Sequence, residues 1–314
     1  MIVTLTPNPS VDRTIEVPQL VRGEVLRATA NRVDPGGKGV NVARALLANG
    51  SKVLAVVPTG GTEGQQLAAL LAVEGIEVVP VPVGEAIRAN VAVVEPDGTT
   101  TKLNEPGPRL SPEELDALVS ATVKAAQDAT WVVASGSLPP GVPVSFYADL
   151  VNHLHQSGAR IAIDTSGPAM AAALAAGPDL VKPNREELAE TTGRPITTIG
   201  EAIAAAQELR KAGARTVVAS LGPDGAVLVD DTGAYHGEAP VAEPRSTVGA
   251  GDAALAGFIA GGGTGPAALA EGLAYGAAAT GLEGSRMPGP QDLDRAAVVL
   301  HTDPQLDRVL EGHR

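Results

Sequence analysis

From Val53 onward the sequence alternates short β-branched runs with longer stretches of helical spacing, and this restricts the fold more than any other feature. Val53–Val57, Ile76–Val81, Thr130–Ala134, Arg160–Ile163, Asp179–Val181 and Thr216–Ala219 read as strands. Between them, Glu63–Glu74, Val144–Gln156 and Glu201–Ala212 read as helices. Ser111-Pro-Glu-Glu114 opens another, with proline in the first turn and a capping-box glutamate, and Leu115, Leu118, Val119 and Val123 form its apolar face. Strand-then-helix order predicts an α/β fold with a mostly parallel sheet covered on both faces. Ligands of such sheets gather beyond the carboxyl ends of the strands, and the Gly-, Ser- and Asp-rich stretches fall there.

Two β excursions break this rhythm. Asp12–Val17 and Val25–Ala28 look like a strand pair, and Ala89–Glu95 with Thr99–Leu103 look like a hairpin about Pro96-Asp97-Gly98. They predict a small second sheet, a lid, formed by segments of about 12–28 and 87–103 inserted in a single domain spanning 1–314. A further hairpin is expected at Ala226–Val229 and Ala234–Glu238, then helices from Gly251 and over Gly265–Gly281. The tail Asp292–Arg314 reads as a peripheral helix.

The stretch Ser246-Thr-Val-Gly-Ala-Gly-Asp-Ala254 carries the chemistry. A helix starting at this Gly-Ala-Gly turn would aim unpaired N–H groups at an anion, phosphate above all. Asp252 at its edge could take a proton from a hydroxyl, which is what phosphoryl transfer to an alcohol needs. Gly-x-Gly-Asp is also a plain turn ending in an N-cap aspartate, and spacing alone leaves both readings open. In Asp34-Pro-Gly-Gly-Lys-Gly-Val-Asn-Val-Ala-Arg44 the apolar spacing starts a helix at Gly36-Gly37, with Lys38 in the first turn. A lysine there opposes the helix dipole, which hints at a bound anion; an exposed lysine on a glycine turn is the plainer alternative. Gly39 after Lys38 excludes a nucleotide P-loop.

The net charge of −13 and pI near 4.8 argue against nucleic acid, so a few local cations must hold any anionic substrate. The absence of cysteine excludes disulfides and thiolate metal sites. The proline-broken start Met1–Pro7 does not read as a signal peptide, and no apolar run is long enough to span a bilayer. The expectation is a cytoplasmic protein with no membrane partner. Ala and Gly are abundant while aromatics make up only 2%, so the core must rely on small side chains and closely approaching backbones. His153 and His155 fall on different helix faces, and all five histidines read as surface residues rather than a metal site.

Six stretches together resemble the ribokinase-like (PfkB) carbohydrate kinases, within them the 1-phosphofructokinase and tagatose-6-phosphate kinase branch. They are Thr6-Pro-Asn-Pro-Ser-Val-Asp12, Pro35-Gly-Gly-Lys-Gly-Val-Asn-Val-Ala43, Asn104-Glu-Pro-Gly-Pro108, Ser135-Gly-Ser-Leu-Pro-Pro-Gly141, Lys182-Pro-Asn-Arg-Glu-Glu187 and Val248-Gly-Ala-Gly-Asp252. They stand in the family's order and cover almost the whole chain. The resemblance implies a three-layer α/β/α sandwich with a small β lid, a homodimer formed through the lids, and ATP and Mg²⁺ as cofactors. It casts Asp252 as catalytic base and the N–H groups of Gly249, Ala250 and Gly251 as the anion hole. It assigns Asp12, Gly37, Lys38, Asn41, Arg88, Asn104 and Ser137 to a small-molecule sugar phosphate. Arg88 suits a phosphate because guanidinium binds one bidentately. An exposed lid arginine is its alternative, a turn residue is that of Asp12, and Arg27 is a weaker phosphate candidate. On the nucleotide side it implies Lys182, Asn184, Ser220, Gly222 and Gly225, with Glu187 positioning Mg²⁺ through water. An N-cap Asn184 followed by first-turn acids is the competing structural reading.

The reaction implied is ATP-dependent phosphorylation of a ketohexose phosphate, fructose 1-phosphate to fructose 1,6-bisphosphate, with tagatose 6-phosphate and fructose 6-phosphate as alternatives. A non-catalytic sensor on the same fold would have no need of Asp252. A dinucleotide-dependent oxidoreductase would need Gly-x-Gly-x-x-Gly after the first strand, where this chain has Pro-Asn-Pro.

Overall fold

In the computed structural model, which describes residues 1–311, a ten-stranded sheet runs through the molecule. Seven neighbouring strands, in spatial order Thr216–Ser220, Leu180–Val181, Arg160–Asp164, Trp131–Ser135, Ile2–Leu5, Val53–Thr59 and Glu77–Pro82, are parallel. Ala226–Asp230, Gly233–Glu238 and Val299–His301 extend one edge antiparallel.

The two faces explain the apolar pattern. Val3, Leu5, Val132 and Ala134 point to one core, shared with the helices Pro112–Ala126, Phe146–Leu154, Gly167–Ala175 and Ile199–Lys211. Ile2, Trp131 and Val133 alternate to the other, shared with Lys38–Ala48, Gly61–Val73, Ala250–Ala260 and Gly265–Thr280. The last two helices approach on small residues: a Cβ on Gly257 would lie 2.7 Å from the Glu271 carbonyl oxygen, and one on Gly272 2.9 Å from that of Ala254. That is how a core poor in aromatics brings these two helices together.

A separate four-stranded sheet orders Ala30–Gly36, Ser10–Glu16, Arg88–Val94 and Thr100–Leu103. The strand expected at Val25–Ala28 is absent; Ala30–Gly36 takes its place. Proline at position 35 is tolerated because this is an edge strand. One residue, Gly37 at φ 114°, separates this strand from the helix Lys38–Ala48.

Two further expectations fail. The tail is no helix: short 3₁₀ turns lead into Val299–His301, which completes the antiparallel edge, while 312–314 lie outside the described residues. His236 is buried, not at the surface, its Nε2 bonded to the Asp224 carbonyl at 2.8 Å. His153 and His155 are exposed, His301 is half-buried, and His313 lies outside the described residues. Among the described residues no helix is long and apolar enough to cross a membrane.

Candidate active site

The parallel strands end where the site lies. Arg160–Asp164 delivers Asp164, and its neighbour Leu180–Val181 delivers Lys182, both buried. Lys38, in the first turn of its helix, places Nζ 2.8 Å from Asp164 Oδ1 and 3.6 Å from Glu187 Oε1. Lys182 Nζ lies 3.3 Å from Asp164 Oδ2, an ion pair without hydrogen-bond alignment. Burial works against the Lys38 charge, but Asp164 and Glu187 outweigh it and raise its pKa above the ordinary lysine value. The lysine that is unfavourable at a helix start is thus held by acids from elsewhere in the chain.

Asp252 stands in the first turn of Ala250–Ala260, buried, with Oδ2 accepting a 2.9 Å hydrogen bond from Asn41 Nδ2. Burial, then the nearby Asp164 charge, push its carboxyl up from 3.8 to about 6, against the pull of Asn41, Lys38 and Lys182. A carboxylate poised near neutrality suits a general base. The helix is capped by Gly249 in the left-handed region, φ 76°, where a Cβ would meet Met287 Cε at 2.6 Å. Among the described residues the N–H groups of Gly249 and Gly251 meet no acceptor, whereas that of Ala250 turns back to the Thr247 carbonyl at 3.4 Å. Lys182 Nζ sits 3.3 Å from where a Gly251 Cβ would be, so a cation faces the open helix start. The plain-turn reading does not account for this convergence.

The second sheet roofs a cleft of about 510 Å³ over Asp252, with Asp12, Gly37, Lys38, Asn41, Arg88 and Asn104 in its lining. Asp12 takes hydrogen bonds from Ser10 Oγ, 2.6 Å, and Asn90 Nδ2, 3.0 Å, its partner in strand register. A Cβ on Gly36 would collide with the Asp12 carboxylate at 2.3 Å, so glycine lets that acid lie against the backbone. Arg88 is held by two carbonyls, Asn8 at 3.0 Å and Glu105 at 3.3 Å, and its Nε has no partner. Carbonyls orient a guanidinium without cancelling its charge, which leaves it suited to an anion. Arg27 is exposed and does not line the cleft. Ser137 is exposed too, accepting a 3.2 Å bond from Asn8 rather than lining the cleft.

Across Lys38 lies the other group. Asn184 and Glu187 form a full capping box, Asn184 Oδ1 accepting the Glu187 N–H and Glu187 Oε2 accepting the Asn184 N–H. The structural role is therefore real, and it leaves Glu187 Oε1, the oxygen near Lys38, outside the cap. Ser220 bridges to Asn184, and the 3₁₀ turn Gly222–Asp224, closed by the Gly225 N–H on the Gly222 carbonyl at 3.1 Å, follows just beyond. None of these residues lines the cleft.

Asn8, Asn90 and Asp164 belong to the site but escaped sequence reasoning. Each keeps a buried oxygen with no hydrogen-bond partner, as does Asn41. Asp164 could have been found as a lone acid at a strand's carboxyl end, and Asn90 as the residue sharing a strand face with Arg88.

Elsewhere His236, Glu238 and His301 cluster with potential ligand atoms within 4.8 Å. The two rings are nearly parallel, 12° apart, so their lone pairs do not converge, and Arg308 already pairs with Glu238. The cluster is an ion-pair network.

A buried carboxyl at an open helix start, faced by lysines at the end of a parallel sheet, is the arrangement that phosphoryl transfer to an alcohol calls for. Residues 6–291 match the pfkB family of carbohydrate kinases. The chain is 41% identical over 260 residues to the 1-phosphofructokinase of Rhodobacter capsulatus, covering 82% of each. It is 37% identical over 305 residues to the ATP-dependent 6-phosphofructokinase isozyme 2 of Escherichia coli, covering 95% of this chain and 98% of that one. Among solved structures, phosphofructokinase-2 from Escherichia coli in complex with potassium superposes with a TM-score of 0.87 at 36% identity, over 93% of this chain and 96% of that one. The chain belongs to the pfkB family of carbohydrate kinases, and its mostly parallel sandwich with a small second sheet is the ribokinase-like architecture expected.

Proposed function

We propose that the protein phosphorylates fructose 1-phosphate at its C6 hydroxyl, using ATP and Mg²⁺, to give fructose 1,6-bisphosphate and ADP. The observation that carries this is the buried Asp252, fixed by Asn41 beside a helix start with free N–H groups. Asp252 takes the hydroxyl proton, the oxygen attacks the γ-phosphoryl in line, and the bond to the ADP oxygen breaks. The N–H groups of Gly249 and Gly251, with Lys182, offset charge on the migrating group; the contribution of Ala250 is weaker because its N–H is partly engaged. Asp12, Asn41 and Gly37 hold the sugar, while Arg88 binds its phosphate. Lys182, Asn184, Ser220, Gly222 and Gly225 lie along the nucleotide. A carboxylate oxygen free of the capping box fits a hard, hydrated cation, so Glu187 is the residue to position Mg²⁺, which when bound neutralises phosphate charge. Closure of the second sheet as a lid excludes water, and two copies associate through it. The reading places the enzyme in the cytoplasm.

A 6-phosphorylated ketohexose is the second reading, favoured by the near full-length similarity to a 6-phosphofructokinase. ADP release measured with fructose 1-phosphate, fructose 6-phosphate, tagatose 6-phosphate, fructose and ribose separates the two. A kcat/KM preference for fructose 1-phosphate is expected. Preference for a 6-phosphate keeps the chemistry and reverses the sugar, and binding without turnover on any of them would leave only a sensor.

A further inference from the structure

The turn Gly222–Gly225 contains an acid, Asp224. A carboxylate in a loop that lies along nucleotide phosphates should repel them, unless it is turned away and its charge is compensated. Both conditions are met by one distant segment. Asp224 is 2% exposed; its Oδ2 accepts the Glu311 N–H at 2.7 Å and its Oδ1 faces Arg308 Nη2 at 3.3 Å. Its own carbonyl takes His236 Nε2. The turn has no slack to relieve strain another way: Gly225, φ 78°, packs so closely that a Cβ would lie 1.9 Å from the Gly237 carbonyl oxygen.

Residues 306–311 join this turn to the rest of the nucleotide side. The Arg308 carbonyl accepts the Ile199 N–H at 3.0 Å, and the Leu310 N–H reaches Thr197 at 2.8 Å. Arg185, first residue of the helix capped by Asn184, donates to the Glu311 carbonyl at 2.8 Å. Arg308 also binds Glu238, at 2.9 Å to Oε2 and closely to Oε1, and holds that carboxyl down to about 2. One guanidinium thus serves two acids, with His301 Nε2 3.0 Å from Glu238 as a further partner.

We infer that Arg308 is a positioning residue for ATP: it neutralises Asp224 and, with the strap 306–311, holds the Gly222–Gly225 turn in its nucleotide-binding shape. The inference rests on the assignment of that turn to the nucleotide. Losing the guanidinium leaves Asp224 as an uncompensated charge behind the phosphates, so the defect is electrostatic and specific to ATP.

The test is a double-mutant cycle read by separate Michaelis constants and by ATP binding at equilibrium. Arg308→Ala should raise the ATP KM about tenfold or more, with the sugar-phosphate KM and kcat near wild type. Asp224→Asn alone should leave the ATP KM close to wild type. Introduced into Arg308→Ala, it should remove most of the ATP defect, because the charge inside the nucleotide turn is gone while Glu238, outside that turn, keeps His301 as a partner. If Arg308→Ala does not fold, Arg308→Lys replaces it in the cycle; it should give a smaller rise, also relieved by Asp224→Asn. An unchanged ATP KM with a lowered Tm, or defects that simply add, would overturn the inference and leave the strap as a structural brace. Wild-type protein that neither binds ATP nor turns over would instead sink the underlying assignment of the site.

Discussion

Asn41 Nδ2 and Asp252 Oδ2 meet at 2.9 Å across 211 residues of sequence, joining the first turns of two helices that open on glycine. The contact orients the carboxylate and lowers its pKa, but burial and Asp164 outweigh it and leave the group near 6. It is thus held ready, yet at a cost to the fold.

Asp252→Asn should cut kcat by about 10²–10⁴ while ATP and sugar phosphate still bind. It should also stabilise the protein. A carboxyl raised from 3.8 to about 6 keeps its proton longer in the folded state, so its penalty is absent below the lower value. The penalty grows as pH rises between the two and is fully present above about 6, on the order of 3 kcal/mol for this shift. A higher Tm for the variant at pH 8 but not at pH 4 is the expected result; turnover near wild type would remove Asp252 as the base.

The same value sets the pH dependence of activity. The rising limb of kcat should have an apparent pKa near 6, because the base works only when ionised. Asp164→Asn removes a neighbouring negative charge and should shift that limb to lower pH, while kcat falls as Lys38 and Lys182 lose their shared acceptor. An alkaline shift in the pH–rate profile would contradict this account of what tunes Asp252.

Arg88→Ala should raise the sugar-phosphate KM by about 10- to 100-fold, the worth of a charge-assisted contact, with little change in the ATP KM. Steady-state kinetics varying each substrate in turn provide the check. Equal effects on both constants would move Arg88 out of the substrate site.

Two capping boxes offer an internal control. Ser111 caps the helix Pro112–Ala126, which carries none of the residues assigned to the site, and Asn184 caps the helix carrying Glu187. Ser111→Ala and Asn184→Ala should each lose about 1 kcal/mol of stability by thermal denaturation. Only the second should raise the ATP KM; matching kinetics for both would reduce Asn184 to a cap.

Much of this was legible in the residues, and the failures have physical causes. The parallel core could be read because strands buried on both faces are continuous apolar runs, such as Val53–Val57. Asp252 was conspicuous because two glycines and an alanine precede it. Asp164 was not, since its partner Lys38 stands 126 residues away and only the fold joins them. The tail becomes a strand because the open edge of Gly233–Glu238 offers Val299–His301 backbone partners, which are out of sight in the local sequence. Ala30–Gly36 was missed because Pro35 and Gly36 disfavour a strand interior, a rule that relaxes at a sheet edge. His236 alternates inward on its strand, where the Asp224 carbonyl satisfies its ring.

The single residue between the strand Ala30–Gly36 and the helix Lys38–Ala48 has a mechanical consequence. One residue adds only about 3.8 Å of chain, too little for a slack tether. The small sheet and the helix bearing Lys38 and Asn41 are therefore geared together. If the small sheet closes over a sugar as proposed, its tilt passes to the floor through the single residue Gly37, so closing and aligning the groups beneath are coupled.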